Sequence, residues 1–257
     1  MSEADRISKN SIRTIVSDFH LDNNHAVDIR KFLDTNNIRF RECDLGQDKN
    51  NQPIIGACKS QGLKKLIVIN SAVIMYEPRR RFTIAHEIGH LYLHQQNFCC
   101  TATDFELWRD KRNKEVEANQ FAADFLLPQD VIESELNKGD LSFKSIDEIS
   151  NRYLVSLTAT ALRLLKESKD NVIIVLHDGK KVEWAAKSND CSMELSSIVI
   201  TPDGVFEKLG TAKNTLKKEV SLSTWFSEVS GYWKCWEESR YFSESKKCFT
   251  ILNLYEE

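Results

Sequence analysis

Apolar positions along the chain fall into short runs whose period changes, and the changes mark out elements. Val27, Ile29, Phe32 and Leu33 recur at helical spacing between Ala26 and Asn36, which predicts a helix. Ile38-Arg39-Phe40-Arg41 alternates like a half-buried strand. Pro53 to Cys58 reads as a second strand, and Leu66-Ile67-Val68-Ile69, apolar throughout, as a buried third. Pro78 opens a new element: Arg79-Arg80-Arg81 leads into Phe82-Thr83-Ile84-Ala85, the pentapeptide His86-Glu87-Ile88-Gly89-His90, and then Leu91-Tyr92-Leu93. The first half therefore reads as a helix, a small sheet and a buried helix.

The segment from Gln95 to Asn113 is polar and irregular, with Trp108 near its end. A helix follows from Lys114 to Leu127, where Pro128 stops it. Asp130 to Asn137 predicts a short helix. Ser145 to Lys166 predicts two, joined at Tyr153-Leu154-Val155-Ser156 with Ser156 as the second N-cap. Near residues 167–171 the pattern turns to β. Val172 to Leu176 reads as a strand, His177-Asp178-Gly179-Lys180 as a hairpin turn, and Val182-Glu183-Trp184-Ala185 as its partner. Ile198-Val199-Ile200, a Pro202-Asp203-Gly204 turn and a closing Cys248 to Leu252 run continue the pattern.

Bulk properties narrow the function only slightly. The chain has 257 residues, 41% hydrophobic and 28% charged, with a net charge of −3. That composition is ordinary for a globular protein and gives no global attraction to duplex DNA or an anionic membrane. Residues 1–6 are polar with no apolar h-region, and no apolar stretch is long enough to span a bilayer, so a cytoplasmic protein is expected. The seven cysteines are odd in number and show no framework spacing.

The pentapeptide changes the picture. On a helix, His86 and His90 lie one turn apart and can grip one metal ion, and Glu87 is placed to act on a water at that metal. A catalytic zinc takes three protein ligands and leaves one position open. The helix beginning at Lys114 offers Glu115 and Glu117. At about 100° per residue, Glu115 shares the apolar face with Ala118, Phe121, Ala122, Phe125 and Leu126. Glu117 projects about 200° away, beside Asp124 and Gln120, onto the face expected to be wet. A carboxylate on an apolar face needs a cation or hydrogen-bond partners. Glu115 is therefore the expected third ligand, with Glu117 as the fallback. Asn119, one turn on, is expected to orient a liganding imidazole.

The stretch Arg81 to Leu91, taken with Glu115-Val116-Glu117-Ala118-Asn119-Gln120-Phe121-Ala122-Ala123-Asp124-Phe125-Leu126-Leu127-Pro128, resembles the ImmA/IrrE family of metallopeptidases. The resemblance covers residues 25–166 well and the C-terminal part more weakly. It implies an α+β chain built on a minimal gluzincin-like core, a small sheet with an active-site helix and a glutamate helix. On that frame, residues 1–130 are expected to form the metallopeptidase domain and 131–168 a helix-turn-helix-like helical segment. Residues 169–257 are expected to form a smaller β-rich C-terminal α/β domain with a regulatory or sensor role. The implied substrate is a helix-turn-helix transcriptional repressor, whose cleavage derepresses a stress, mobile-element or phage-defence operon.

The expected mechanism has His86, His90 and Glu115 on Zn2+, with Mn2+ as an alternative metal, and Glu87 as general base and then acid. Tyr76, Tyr92 and Tyr153 are candidate oxyanion donors by residue type alone, and His94 is expected to pack or support the site from behind. Cys99 and Cys100 lie between the two ligand helices, where a thiolate could take the open metal position and hold the enzyme latent. Two cysteines in a loop or at a helix end are more often ordinary thiols, and on sequence alone that reading is preferred. In the helix pair, only Arg163 and Lys166 are basic near the end of the second helix, which favours packing or repressor docking over DNA reading. Trp184, Trp225, Trp233 and Trp236 alternate with lysines in the last third. This is a pattern that could stack single-stranded nucleic acid but more often forms a small β core. The rival to the peptidase is a non-hydrolytic metal-binding regulator acting through DNA or protein.

Overall fold

A computed structural model of the chain describes residues 19, 26–73, 76–101, 114–195, 215–227 and 232–256. Residues 1–18, Trp108, the Ile198–Ile200 run and the Pro202-Asp203-Gly204 turn lie outside the described residues. The described chain is α+β, with six α-helices and two sheets, and its C-terminal part is rich in strands. It divides into two compact units, 1–131 with 149–156, and 132–148 with 157–257. None of the described helices is long and apolar enough to cross a membrane.

In the first unit, α1 (Ile29–Thr35) is capped by the Asp28 carboxylate, which accepts from Lys31 N at 3.0 Å. Strands β1 (Ile38–Cys43), β2 (Ile54–Gln61), β3 (Lys64–Asn70) and β4 (Phe98–Thr101) form one sheet in the order β1-β3-β2-β4. β1 runs parallel to β3, and the other pairs are antiparallel. Helix α2 (Glu77–Gly89) starts with Pro78 in its first turn, where the missing N–H costs nothing. All nine residues from Arg81 to Gly89 are buried. The helix then relaxes into one π-helical turn, His90–His94, closed by Gln95 N donating to His90 O at 3.1 Å. Helix α3 (Lys114–Leu126) packs on α2, and Phe32, Phe121 and Phe125 pack at their junction, with Phe32 and Phe125 edge to face at 5.0 Å.

One expectation is corrected here. Gln95 to Asn113 was read as polar and irregular, yet Phe98 to Thr101 is strand β4, paired with β2. Its four residues carry too short a pattern to show alternation, and the strand exists because β2 offers an open edge.

Helices α4 (Gln129–Leu136), α5 (Phe143–Tyr153) and α6 (Leu157–Glu167) follow, with Leu154 at φ 54° in the turn between the last two. The second unit carries an antiparallel sheet in the order β6-β5-β9-β8-β7. Its strands are β5 (Asn171–His177), β6 (Val182–Lys187), β7 (Thr215–Val220), β8 (Trp233–Phe242) and β9 (Lys247–Glu256). In the β5–β6 turn the Asp178 carboxylate accepts from Lys180 N and Lys181 N. Ile173, Val175, Trp225, Phe226, Leu252 and Leu254 build the core of this unit, with Trp233 packed against it. Trp225 is buried and donates its indole N–H to Glu237 Oε2 at 2.9 Å, and Trp184 meets Phe249 edge to face. Arg163 is also buried and ion-paired with Glu167 at 2.7 Å.

Candidate metal centre

Two local features let the ligand helices meet. Gly89 has no side chain where α2 crosses α3. A Cβ there would lie 3.2 Å from Ala118 Cα and 3.2 Å from Phe121 Cβ. Gly56 on β2 does the same for the sheet, since a Cβ there would lie 2.6 Å from Glu87 Oε1. The first glycine brings α3 against α2, and the second gives the Glu87 carboxylate room beneath the sheet.

His86, His90, Glu115 and Cys100 then converge, each offering one donor atom, with all four atoms within 4.8 Å of one another. His86 Nε2 and His90 Nε2 are 3.0 Å apart, and Glu115 Oε2 lies 3.1 and 3.2 Å from them. Cys100 Sγ is 3.5 Å from His90 Nε2. His86, His90 and Cys100 are fully buried, while the Glu115 side chain is 15% exposed.

The back of each imidazole determines what its front can do. Asn119 Oδ1 lies 2.9 Å from His86 Nδ1, so Nδ1–H donates and Nε2 keeps its lone pair. On the other ring the chain of bonds is longer. Glu117 Oε2 accepts from His94 Nε2–H at 2.8 Å, which leaves His94 Nδ1 to accept from His90 Nδ1–H at 2.9 Å. His90 Nε2 therefore also faces the cluster bare. Phe98 stacks on the His90 ring, with centroids 3.9 Å apart and planes 15° from parallel, and fixes its plane. Two lone pairs and a carboxylate oxygen meet with no proton left to place among them, a donor set that fits a divalent cation.

The electrostatics agree with that protonation. Burial holds the His90 pKa down to about 4, outweighing the upward pull of Glu115, so the ring is neutral near pH 7. Burial pushes the Glu115 carboxyl up, but its contacts with the two imidazoles outweigh burial and hold the group well below the usual carboxylate range, so it meets the cluster as a carboxylate. Burial, then the charges of Glu87 and Glu115, push the Cys100 thiol up.

The sequence-predicted residues are thus mostly brought together. His86, His90 and Glu115 share the cluster, Asn119 stands behind His86, and Glu87 is fully buried on the same helix. Cys99 is not in the cluster: it is exposed, on the opposite face of β4 from Cys100. Tyr92 donates its hydroxyl to Asn36 Oδ1 at 3.0 Å, and Tyr76 is 63% exposed. Glu117 is projected onto a wet face, and its side chain is 29% exposed against 15% for Glu115, but it also accepts from His94, and Asp124 on the same side is buried. The helical wheel missed this because it treats polarity as exposure, and because the π turn alters the phase of His94 relative to an ideal helix.

The family model for Peptidase_M78, described as the IrrE N-terminal-like domain, matches residues 34–165, a span that contains every residue of the cluster. No curated protein matches the chain significantly. Among solved structures, a Mycobacterium tuberculosis transcriptional regulator aligns with a TM-score of 0.43 and 11% identity. The alignment covers 84% of this chain and 65% of that one, so this chain spans under two thirds of the regulator's length.

Proposed function

Because the chain belongs to the Peptidase_M78 family of IrrE N-terminal-like domains, we propose that it is a zinc-dependent endopeptidase, working in the cytoplasm, whose substrate is a helix-turn-helix transcriptional repressor. The observation that supports metal-dependent hydrolysis is the convergence of His86 Nε2, His90 Nε2 and Glu115 Oε2 at 3.0–3.2 Å with both Nδ1 atoms already engaged. A tetrahedral zinc with nitrogen and oxygen ligands at about 2.1 Å sets those ligands about 3.4 Å apart. The three atoms need to spread only slightly to match it.

His86, His90 and Glu115 would hold the ion, with Asn119 and the His94–Glu117 pair keeping the imidazoles in the liganding tautomer. Zinc bound there supplies Lewis acidity that draws electron density from a water or from the scissile carbonyl. Glu87 follows the first ligand on the same rigid helix. It takes the proton of the attacking water and passes it to the leaving amine as the peptide bond breaks. The repressor substrate rests on the family resemblance, as does the assignment to a stress, mobile-element or phage-defence operon. The β-rich C-terminal unit is read as a regulatory or sensor module.

A second reading has one observation in its favour. Cys100 completes a four-donor set, and structural zinc sites are closed in this way. In that case the chain would be a metal-stabilised regulator without hydrolysis. Co-incubation of the full chain with the helix-turn-helix repressor encoded beside it separates the two. Zinc-loaded Cys100→Ala, which lacks the fourth donor, should cleave the repressor. Adding Glu87→Gln to it should keep one equivalent of zinc and lose about 10²–10⁴-fold in cleavage rate. Undiminished cleavage after Glu87→Gln overturns the assigned mechanism, and no cleavage by zinc-loaded Cys100→Ala favours the regulator.

A further inference from the structure

We propose that Cys100 is the fourth metal ligand of the resting protein, so that the metal centre is closed to substrate until the thiolate departs. This inference rests on the metallopeptidase reading above and concerns the regulation of the same site.

The argument begins with the sheet. β4 pairs with β2 in a register that shifts between Ile54 and Gly56, leaving Ile55 as an extra residue opposite the Thr101–Cys100 step. A bulge of this kind bends the strand and re-aims side chains. Cys100 pairs with Gly56, so both lie on the face of the sheet that meets α2, and the absent side chain at Gly56 leaves space there. The result is a fully buried sulfur 3.5 Å from His90 Nε2. A tetrahedral zinc with a sulfur ligand at about 2.3 Å and a nitrogen ligand at about 2.1 Å separates the two atoms by about 3.6 Å. The observed separation is therefore that of two ligands on one ion. The other three donors supply a complete catalytic ligand set without Cys100, so the sulfur stands at the position a reacting water needs.

Cys100 also sits on a short outer element. β4 has four residues and lies at the edge of the sheet that the described strands form. Short edge elements open locally at lower free energy than the strands and helices they cover. His86, by contrast, is on a helix buried throughout its last nine residues, and His90, also buried, opens the π turn that continues it. Binding of the thiol to the metal releases its proton to solvent, and departure takes one up, so the step needs no oxidant. Cys99 points the other way and plays no part.

The test replaces zinc with cobalt in the full-length chain and reads the absorption spectrum. A thiolate on cobalt gives an intense near-ultraviolet charge-transfer band that nitrogen and oxygen ligands do not give. Wild-type protein should show the band, Cys99→Ser should keep it, and Cys100→Ala should lose it while still binding one cobalt. Added acetohydroxamate should then shift the visible cobalt spectrum of Cys100→Ala and leave that of the wild type unchanged. Cobalt bound by the wild type in a tetrahedral site without the band overturns the latent thiolate and leaves the metallopeptidase standing. Failure of the wild type to bind cobalt or zinc at all overturns both.

Discussion

Replacing His94 with Phe tests whether the bonds behind His90 matter to the metal. The substitution keeps a flat ring to lie against Phe98, which His94 meets at a centroid distance of 5.3 Å, and deletes both nitrogens. His90 Nδ1–H then loses its acceptor at a site where His94 is only 4% exposed, so water cannot take the vacated place. An unsatisfied buried donor costs about 1–3 kcal/mol. The ring can recover part of that by turning or changing tautomer, and either change spoils Nε2 as a ligand. Loss of such supporting partners typically weakens metal binding about 10–100-fold, or about 1.4–2.7 kcal/mol. The buried position of His94 puts this variant toward the upper end. Glu117 is 29% exposed, so in Glu117→Ala a water can replace the carboxylate and the loss should stay below about tenfold. The assay is a zinc competition titration against a chromophoric chelator at pH 7.5. If Glu117 acts only through His94, the double variant should bind zinc no more weakly than His94→Phe alone. Additive losses in the double variant, or unchanged affinity in His94→Phe, would refute the relay.

Three further outcomes are expected. Gly89→Ala puts a methyl 3.2 Å from Ala118 Cα, so the helices must part. Overpacking of about 1–3 kcal/mol outweighs the gain of about 1 kcal/mol in helix propensity, and both the urea midpoint and zinc affinity should fall; a more stable variant would contradict the close crossing. Saturating zinc at about 100 times its dissociation constant should stabilise the folded chain by about 2.7 kcal/mol, raising the melting temperature by about 5–10 °C over protein treated with chelator. Glu115→Ala should abolish that shift, and its persistence there would move the ligand elsewhere. His177, buried and bonded to Thr250 Oγ1 at 2.9 Å, has its pKa lowered to about 4 by burial, against about 6.5 when unfolded. Its neutral form favours the folded state, so that stability is present above pH 6.5 and is lost as pH falls from about 6.5 to 4, about 2 kcal/mol of it by pH 5. Urea midpoints at pH 7.5 and 5 should therefore diverge less in His177→Gln than in the zinc-loaded wild type, and equal pH slopes would exclude His177 as the source.

In the C-terminal unit the hairpin at Asp178 was legible because local turn chemistry specifies it. β7 and β8 were not. Thr215–Val220 carries two lysines and a glutamate on an edge strand, where charge is common and hydropathy is silent. β8 hides its pattern differently. Glu237 and Ser239 face inward and are satisfied by Trp225 and Thr250, so residues that read as exposed are buried. Two of the four tryptophans that look able to stack bases are committed to the fold: Trp225 is bonded to Glu237 within this network, and Trp233 packs on the core.

The metal centre shows why legibility falls off as it does, because its parts depend on progressively less local structure. His86, Glu87 and His90 share one helix, so spacing alone sets their relative positions. Glu115 needs the helical phase of a second segment, which the wheel supplies, and a close helix crossing, which only Gly89 and its contact with Ala118 reveal. The His94–Glu117 pair needs that crossing and a π turn as well, so the wheel assigned Glu117 to water. Cys100 depends on strand register and a bulge between segments more than forty residues apart. A sequence pattern cannot report that, since moving the register by one residue would turn Cys99 inward in its place. The residues proposed to hold the metal are therefore those read most readily from the chain. The residue proposed to control access to that metal is fixed by the least local contact in the site.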